Sequence, residues 1–213
     1  MTGTVTGTDA AWFAGPRILP VLTVPSAAMA SPLADALARA GVRTVEVTLR
    51  TPDAEDVLKA MAAHGGLTVG AGTVLTADQA ERAVAAGASF AVSPGLDEDV
   101  LERCEELGVP VVPGVGTASE LMRALRYGIG TVKLFPAELV GGAAMVRSLA
   151  APFPGVRFVP TGGIGPDRLG GYLAQPAVLA VGGTWMAPLD ALARGAYDEI
   201  ERLAADAVRR SVT

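Results

Sequence analysis

Cysteine and histidine each occur only once in the 213 residues, as Cys104 and His64. A lone cysteine excludes an internal disulfide and a thiolate metal cluster. Within Leu101-Glu-Arg-Cys104-Glu-Glu-Leu107 it falls on a helical pattern and reads as packing. His64 precedes Gly65-Gly66 at a predicted helix end, where a cationic side chain suits the helix dipole. Neither a histidine-based triad nor a multi-histidine zinc site is expected, so no metal is assigned. Acid–base chemistry falls to carboxylates, lysine, tyrosine or water. Charged residues are sparse at 18%, the net charge is −5 and no basic cluster occurs, which argues against a nucleic-acid partner. No apolar run approaches the roughly 20 residues that span a bilayer, so no membrane association is expected. Met1–Ala11 is rich in Thr and Gly and lacks the charged and apolar regions of a signal peptide, the reading being a loose lead-in to a cytoplasmic protein.

What is abundant is Ala, Val, Leu and Gly, with half the chain hydrophobic. That composition predicts a mostly parallel sheet wrapped in alanine-rich helices. Strand-like and helix-like stretches alternate at a period of about 22–25 residues. Strands are predicted at 17–24, 42–49, 67–71, 89–93, 109–112, around Lys133, at 156–160 and at 178–181. The intervening helices include 26–40, closed by Gly41, one capped by Thr76, and one opened by the capping box Thr117-Ala-Ser-Glu120. Helices at 142–150 and 166–173 and a last one from Asp190 to about Arg209 complete the pattern. Pro20 within the first strand calls for an edge or barrel-rim setting, and the fifth strand is expected to end at Pro113-Gly114. Eight strand–helix units predict an α/β fold of the (β/α)8 TIM-barrel kind, with residues 1–15 as a lead-in or short helix and 16–213 as one domain. A doubly wound open sheet is the alternative, and the regularity of the units favours closure.

In such a barrel the chemistry gathers at the C-terminal strand ends. The pivotal stretch is Gly130-Thr-Val-Lys133-Leu-Phe-Pro136, a lysine inside an apolar strand. Burial disfavours the ammonium form of lysine, and the free amine is the form that attacks a carbonyl to make a Schiff base. Glu46, Thr48 and Arg50 share one strand face, the inner one, because Val45, Val47 and Leu49 take the other. A buried carboxylate needs a partner, and Glu46 and Lys133 suit each other. A purely structural ion pair is the bland alternative. Against it stand the glycine turns Gly162-Gly163 and Gly182-Gly183 after the last two strands, where barrels commonly hold a phosphate.

The motifs Leu19-Pro-Val-Leu22, Val45-Glu-Val-Thr-Leu-Arg-Thr51, Val69-Gly-Ala-Gly-Thr-Val-Leu75, Ala91-Val-Ser-Pro-Gly-Leu96, Pro113-Gly-Val, Ser119-Glu-Leu-Met122, Val132-Lys-Leu-Phe-Pro-Ala137, Pro160-Thr-Gly-Gly-Ile164 and Val181-Gly-Gly-Thr-Trp185 occur in that order. Over about residues 16–188 the chain resembles the 2-keto-3-deoxy-6-phosphogluconate (KDPG) and 4-hydroxy-2-oxoglutarate (KHG) aldolases, which are small class I aldolases. The resemblance implies that Lys133 forms the Schiff base and that Glu46 is the general base and acid. It implies that Arg50, Thr73 and Thr161 hold the pyruvate carboxylate and neighbouring oxygens. Gly162, Gly163, Gly183 and Thr184 would take the phosphate, while Pro94 and Phe135 would shape the pocket. It implies no cofactor, a 2-keto acid and an aldehyde phosphate as small-molecule partners, and a homotrimer. Where many relatives have serine, position 184 is threonine, and Thr23 stands where some carry an arginine near the end of the first strand. The expected reaction is cleavage of 2-dehydro-3-deoxy-6-phosphogluconate to pyruvate and D-glyceraldehyde 3-phosphate, as in the Entner–Doudoroff pathway. A broader 2-keto acid aldolase acting on 4-hydroxy-2-oxoglutarate or the galactonate epimer is the nearest alternative. A sugar-phosphate epimerase or decarboxylase, or a phosphate-sensing barrel without turnover, would use Lys133 only as a charge. Trp12 and Phe13 could sit at a subunit contact, but the simpler expectation is that they cover the base of the barrel.

Overall fold

The computed structural model describes residues 10–212, so most of the expected lead-in lies outside the described residues. The chain runs β1 (Ile18–Leu22), a single 3-10 turn (Ala27–Met29), α1 (Ala30–Arg39), β2 (Thr44–Thr48), α2 (Ala54–Ala63), β3 (Thr68–Gly72) and α3 (Ala77–Ala85). It continues with β4 (Ala91–Val92), α4 (Glu98–Glu106), β5 (Val111–Val112), β6 (Gly114–Val115), α5 (Ala118–Arg126), β7 (Thr131–Leu134) and α6 (Gly142–Ala150). It closes with β8 (Arg157–Phe158), α7 (Leu169–Leu173), β9 (Val181–Gly183), α8 (Leu189–Ala193) and α9 (Tyr197–Ser211). Every pairing is parallel, as expected of strands joined by helical crossovers. The curled sheet orders its strands β5-β4-β3-β2-β1-β9, with β6-β7-β8 as a second run. Parallel bridges Phe158↔Val178 and Thr161↔Gly182 lie between β8 and β9.

Side-chain alternation sorts the two faces of this sheet. Val45, Val47, Val69, Ala71, Val132 and Leu134 point outward into a core shared with Leu33, Leu37, Val57 and Leu58 of the helices. Leu19, Phe90, Val92, Val112 and Val159 point inward and form a separate apolar plug with Trp12. Trp12 is buried, with its ring 4.3 Å from that of Phe90 and 5.6 Å from that of Phe13. Ala14 ties the same segment to the start of β2, its N–H donating to Thr44 Oγ1 (3.1 Å) and its carbonyl accepting from that hydroxyl (3.0 Å). The aromatic pair therefore covers the N-terminal end of the inner face, as the simpler expectation held.

Three of the helices start at side-chain caps. The side chains of Thr76, Asp97 and Thr117 accept from the N–H groups of Gln79, Val100 and Glu120. Glu120 returns the capping contact one residue further back, accepting from the Gly116 N–H and the Thr117 hydroxyl, each at 2.8 Å. The Gly116 bond is the main cause that holds its carboxyl below the ordinary range. Cys104 is fully buried on α4, and burial pushes its thiol up to about 11. His64 is the C-terminal cap of α2 and meets Asp35 of α1 through Nε2 at 2.9 Å.

Four expectations are corrected. Pro20 lies neither at an edge nor at a rim: β1 is bonded on both sides, and Pro20 falls where pairing passes from β9 (Pro20↔Gly183) to β2 (Val21↔Glu46). The fifth strand does not stop at Pro113-Gly114 but resumes as β6, because Pro113 removes one donor while its carbonyl still accepts from the Lys133 N–H at 2.9 Å. The eighth strand lies later than expected, at Val181–Gly183, with Val178 making only an isolated bridge. The final helix is two helices. Gly195 adopts φ +65, and the bonds Gly195 N–H to Leu192 carbonyl and Ala196 N–H to Ala191 carbonyl form a Schellman stop between α8 and α9.

Replacing Trp12 by Ala should cost about 3–5 kcal/mol of stability by opening a cavity against Phe90 and Leu19. Urea denaturation followed by far-UV circular dichroism measures it, and a loss below about 1 kcal/mol would mean the plug is dispensable.

Candidate active site

Thr44, Glu46 and Thr48 of β2 alternate with Val45 and Val47, so the polar set must face inward once the valines join the helices. The same parity in β7 turns Lys133 inward while Val132 and Leu134 pack outward. Eighty-seven residues apart in sequence, Lys133 and Glu46 meet there, with Nζ 3.1 Å from Oε1 and 3.4 Å from Oε2. Their side chains are only 5% and 1% exposed. Neither charge would be tolerated alone at such depth, and each supplies the other's counter-ion. Gly72 of β3 creates the space: a Cβ there would lie 2.2 Å from Glu46 Oε1. The Lys133 ammonium also sits 5.4 Å from the centroid of the Phe135 ring. A lysine and a carboxylate in contact, shielded from water, form an amine with a proton acceptor already in place.

Arg50 leaves the strand just beyond Thr48 and is exposed at the C-terminal rim, where its Nε donates to Thr73 Oγ1 at 3.1 Å. Thr73 has φ +59, a left-handed conformation that a β-branched residue rarely adopts. Strain of this kind concentrates where a side chain must be aimed. Thr23, at the end of β1, is bonded to Thr48 through their hydroxyls (2.9 Å), and Thr48 donates to the Leu22 carbonyl (3.0 Å). Thr23 and Thr48 thus bring two hydroxyls to that corner of the rim. Pro94 is half-buried after β4, and the preceding Ser93 donates to the Gly95 carbonyl at 2.6 Å.

Thr161 is buried and lies in the bridge to Gly182. The next two residues, Gly162 (φ +107) and Gly163 (φ +77), need the left-handed backbone that only glycine adopts freely. A Cβ on Gly162 would press 3.3 Å from the Phe135 ring, so Phe135 links this turn to Lys133. Among the described residues, the Gly162 and Gly163 N–H groups donate to no backbone acceptor outside helices and strands. Gly183 is buried, and a Cβ on it would fall 1.6 Å from the Trp185 ring, while Thr184 is exposed beside it. The sequence-predicted residues thus fall into an inner pair, Lys133 and Glu46, and a rim made of Arg50, Thr73, Pro94, Phe135, Thr161 and the glycine turns.

Sequence reasoning missed the residues that make room or brace. Gly70 and Gly72 stand two apart, and that spacing alone marks two inner positions without a side chain, opposite Phe90 and Glu46. The group Glu138–Arg168–Tyr172 carries no recognisable signal, because its contacts join the segment after β7 to α7, with Tyr172 34 residues beyond Glu138.

The family model for KDPG and KHG aldolase matches residues 12–203. The chain is 48% identical to 2-dehydro-3-deoxy-phosphogluconate aldolase of Treponema pallidum (strain Nichols), over 88% of this chain and 90% of that one. It is 47% identical to KHG/KDPG aldolase of Escherichia coli (strain K12), over 90% of each. Among solved structures, KDPG aldolase from Legionella pneumophila, with pyruvate captured at low pH as a covalent carbinolamine intermediate, superposes with a TM-score of 0.91. It is 38% identical and covers 94% of this chain and 98% of that one.

Replacing Lys133 by Met should strand the Glu46 carboxylate and lower stability by about 3–5 kcal/mol. Adding Glu46→Gln should restore part of that loss, because the pair is then neutral. A single-variant loss within about 1 kcal/mol, the range of exposed pairs, would contradict the buried-pair account.

Proposed function

Because the chain belongs to the KDPG and KHG aldolase family, we propose that it is a class I aldolase that cleaves 2-dehydro-3-deoxy-6-phosphogluconate to pyruvate and D-glyceraldehyde 3-phosphate. The observation that carries this reading is the buried contact of Lys133 Nζ with Glu46 at 3.1 Å. The Lys133 amine attacks the C2 carbonyl, and loss of water from the carbinolamine leaves a protonated imine. Glu46, acting directly or through a water, takes the proton of the C4 hydroxyl. The C3–C4 bond breaks, and its electron pair moves into the imine to give an enamine. The aldehyde leaves, the enamine is protonated at C3, and water releases pyruvate and the free lysine.

Arg50, Thr73 and Thr161 hold the carboxylate end, with Pro94 and Phe135 as walls. The Gly162-Gly163 and Gly183-Thr184 turns hold the phosphate; the first is supported by its left-handed glycines, whose N–H groups donate to no backbone acceptor outside helices and strands among the described residues. The sheet is read as one closed (β/α)8 barrel. The bridges between β8 and β9 support that reading, as does the single residue, Pro113, that separates β5 from β6. A homotrimer and a cytoplasmic setting belong to the same reading; among the described residues, no helix is long and apolar enough to cross a membrane.

One observation favours a second, broader reading, in which unphosphorylated 4-hydroxy-2-oxoglutarate is also cleaved. Thr23, at the end of β1, has its hydroxyl bonded to Thr48 and brings no charge of its own to a phosphate.

Incubation with pyruvate and borohydride, read by intact mass and peptide mapping, should add one pyruvate-derived unit on Lys133 and none in Lys133→Met. Glu46→Gln should still be trapped while kcat falls by about 10²–10⁴-fold, the usual contribution of a positioned acid–base group. An unchanged wild-type mass would remove the Schiff base from this account.

A further inference from the structure

The turn assigned to the phosphate rests on a residue with no role in the chemistry above. Glu138 follows β7 by four residues and is 20% exposed. Its stem lies directly under Gly163, where a Cβ would come within 3.1 Å of both Glu138 Cβ and Cγ. Its backbone N–H donates to the Gly162 carbonyl at 3.2 Å, and the Ala137 N–H donates to the Thr161 carbonyl at 2.8 Å. The carboxylate then reaches past the turn. Oε1 accepts from the buried Tyr172 hydroxyl at 2.6 Å, and Oε2 pairs with the Arg168 guanidinium. Arg168 and Tyr172 lie one helical turn apart, at the start and within α7, the helix into which the glycine turn leads.

The two contacts differ in weight. Arg168 is 56% exposed, so its pairing is screened by water. The Tyr172 bond is short, shielded and made to a charged acceptor, the stronger class of hydrogen bond. Burial raises the Tyr172 hydroxyl above its ordinary value, so it remains a donor at neutral pH.

We propose that Glu138 is a positioning residue for the substrate's phosphate, clamping the Gly162–Gly163 turn between the exit of β7 and α7 so that its N–H groups stay aimed at the anion. Two consecutive left-handed glycines are otherwise the least constrained backbone at the rim. A site that binds an anion through main-chain donors loses affinity when those donors must be ordered at each encounter. The inference rests on the phosphate reading of that turn given above.

The test compares kcat/KM for the phosphorylated six-carbon substrate with that for unphosphorylated 4-hydroxy-2-oxoglutarate, together with competitive inhibition by inorganic phosphate. In Glu138→Ala the ratio should fall about tenfold, the equivalent of one net hydrogen bond. The fall should come through KM, with weaker phosphate inhibition and unchanged borohydride trapping of pyruvate. Tyr172→Phe should show a smaller fall of the same kind, and Glu138→Gln, which keeps an acceptor for Tyr172, should recover much of the ratio. An unchanged ratio, or equal losses on both substrates, would overturn the positioning role. A wild type that neither prefers the phosphorylated substrate nor is inhibited by phosphate would sink the phosphate reading itself, and this inference with it.

Discussion

Two opposite charges share the inner face of the sheet, and the arrangement around them follows from keeping them together and dry. Lys133 and Glu46 touch at 3.1 Å with almost no exposure. Separating them or removing one would leave an uncompensated charge in an environment that solvates it poorly. β3 accommodates the pair by giving up a side chain at Gly72. Below them, Trp12, Phe90 and Leu19 close the N-terminal end of the inner face against water. The stability of the interior and the chemistry proposed for it therefore depend on one contact.

Around that pair the rim is built from backbone more than from charge. Thr73 is held in a left-handed conformation with Arg50 bonded to its hydroxyl, and Gly162 and Gly163 adopt the same region beside Phe135. In the proposed reading these conformations present hydroxyl and N–H donors to the substrate's anionic groups. The Glu138–Tyr172 bond ties the segment after β7 to α7 beside Gly163. Hydroxyls and main-chain amides suit an anion whose charge must be bound and released, since they attract it without the tight hold of a desolvated ion pair.

Much of this was legible from the chain alone, for a physical reason in each case. Alternation in Val45-Glu-Val-Thr separates an inner from an outer face without further information, and it put Glu46 and Thr48 inside. Thr76 and Thr117 are local capping devices, and both cap the helices expected of them. The helix Gly142–Ala150 has the bounds expected. Errors fell where a local signal has a non-local solution. Pro113 reads as a strand end, yet its carbonyl serves a neighbouring strand, and Pro20 reads as an edge residue, yet two different strands share β1 around it. A single glycine, Gly195, divides a continuous helical pattern, because its backbone turns left-handed to complete a Schellman stop.

The sequence by itself determined the alternating parallel α/β pattern, the inward face of the second strand, and the lysine and glutamate suited to each other's company. It did so because side-chain parity and capping are properties of neighbours in the chain. Only the tertiary structure decided that Lys133 lies 3.1 Å from Glu46, that Gly72 vacates the space they need, and that Glu138 bonds Tyr172 beneath Gly163. Those distances join segments dozens of residues apart, and they are set by how the sheet curls and how its helices pack on it.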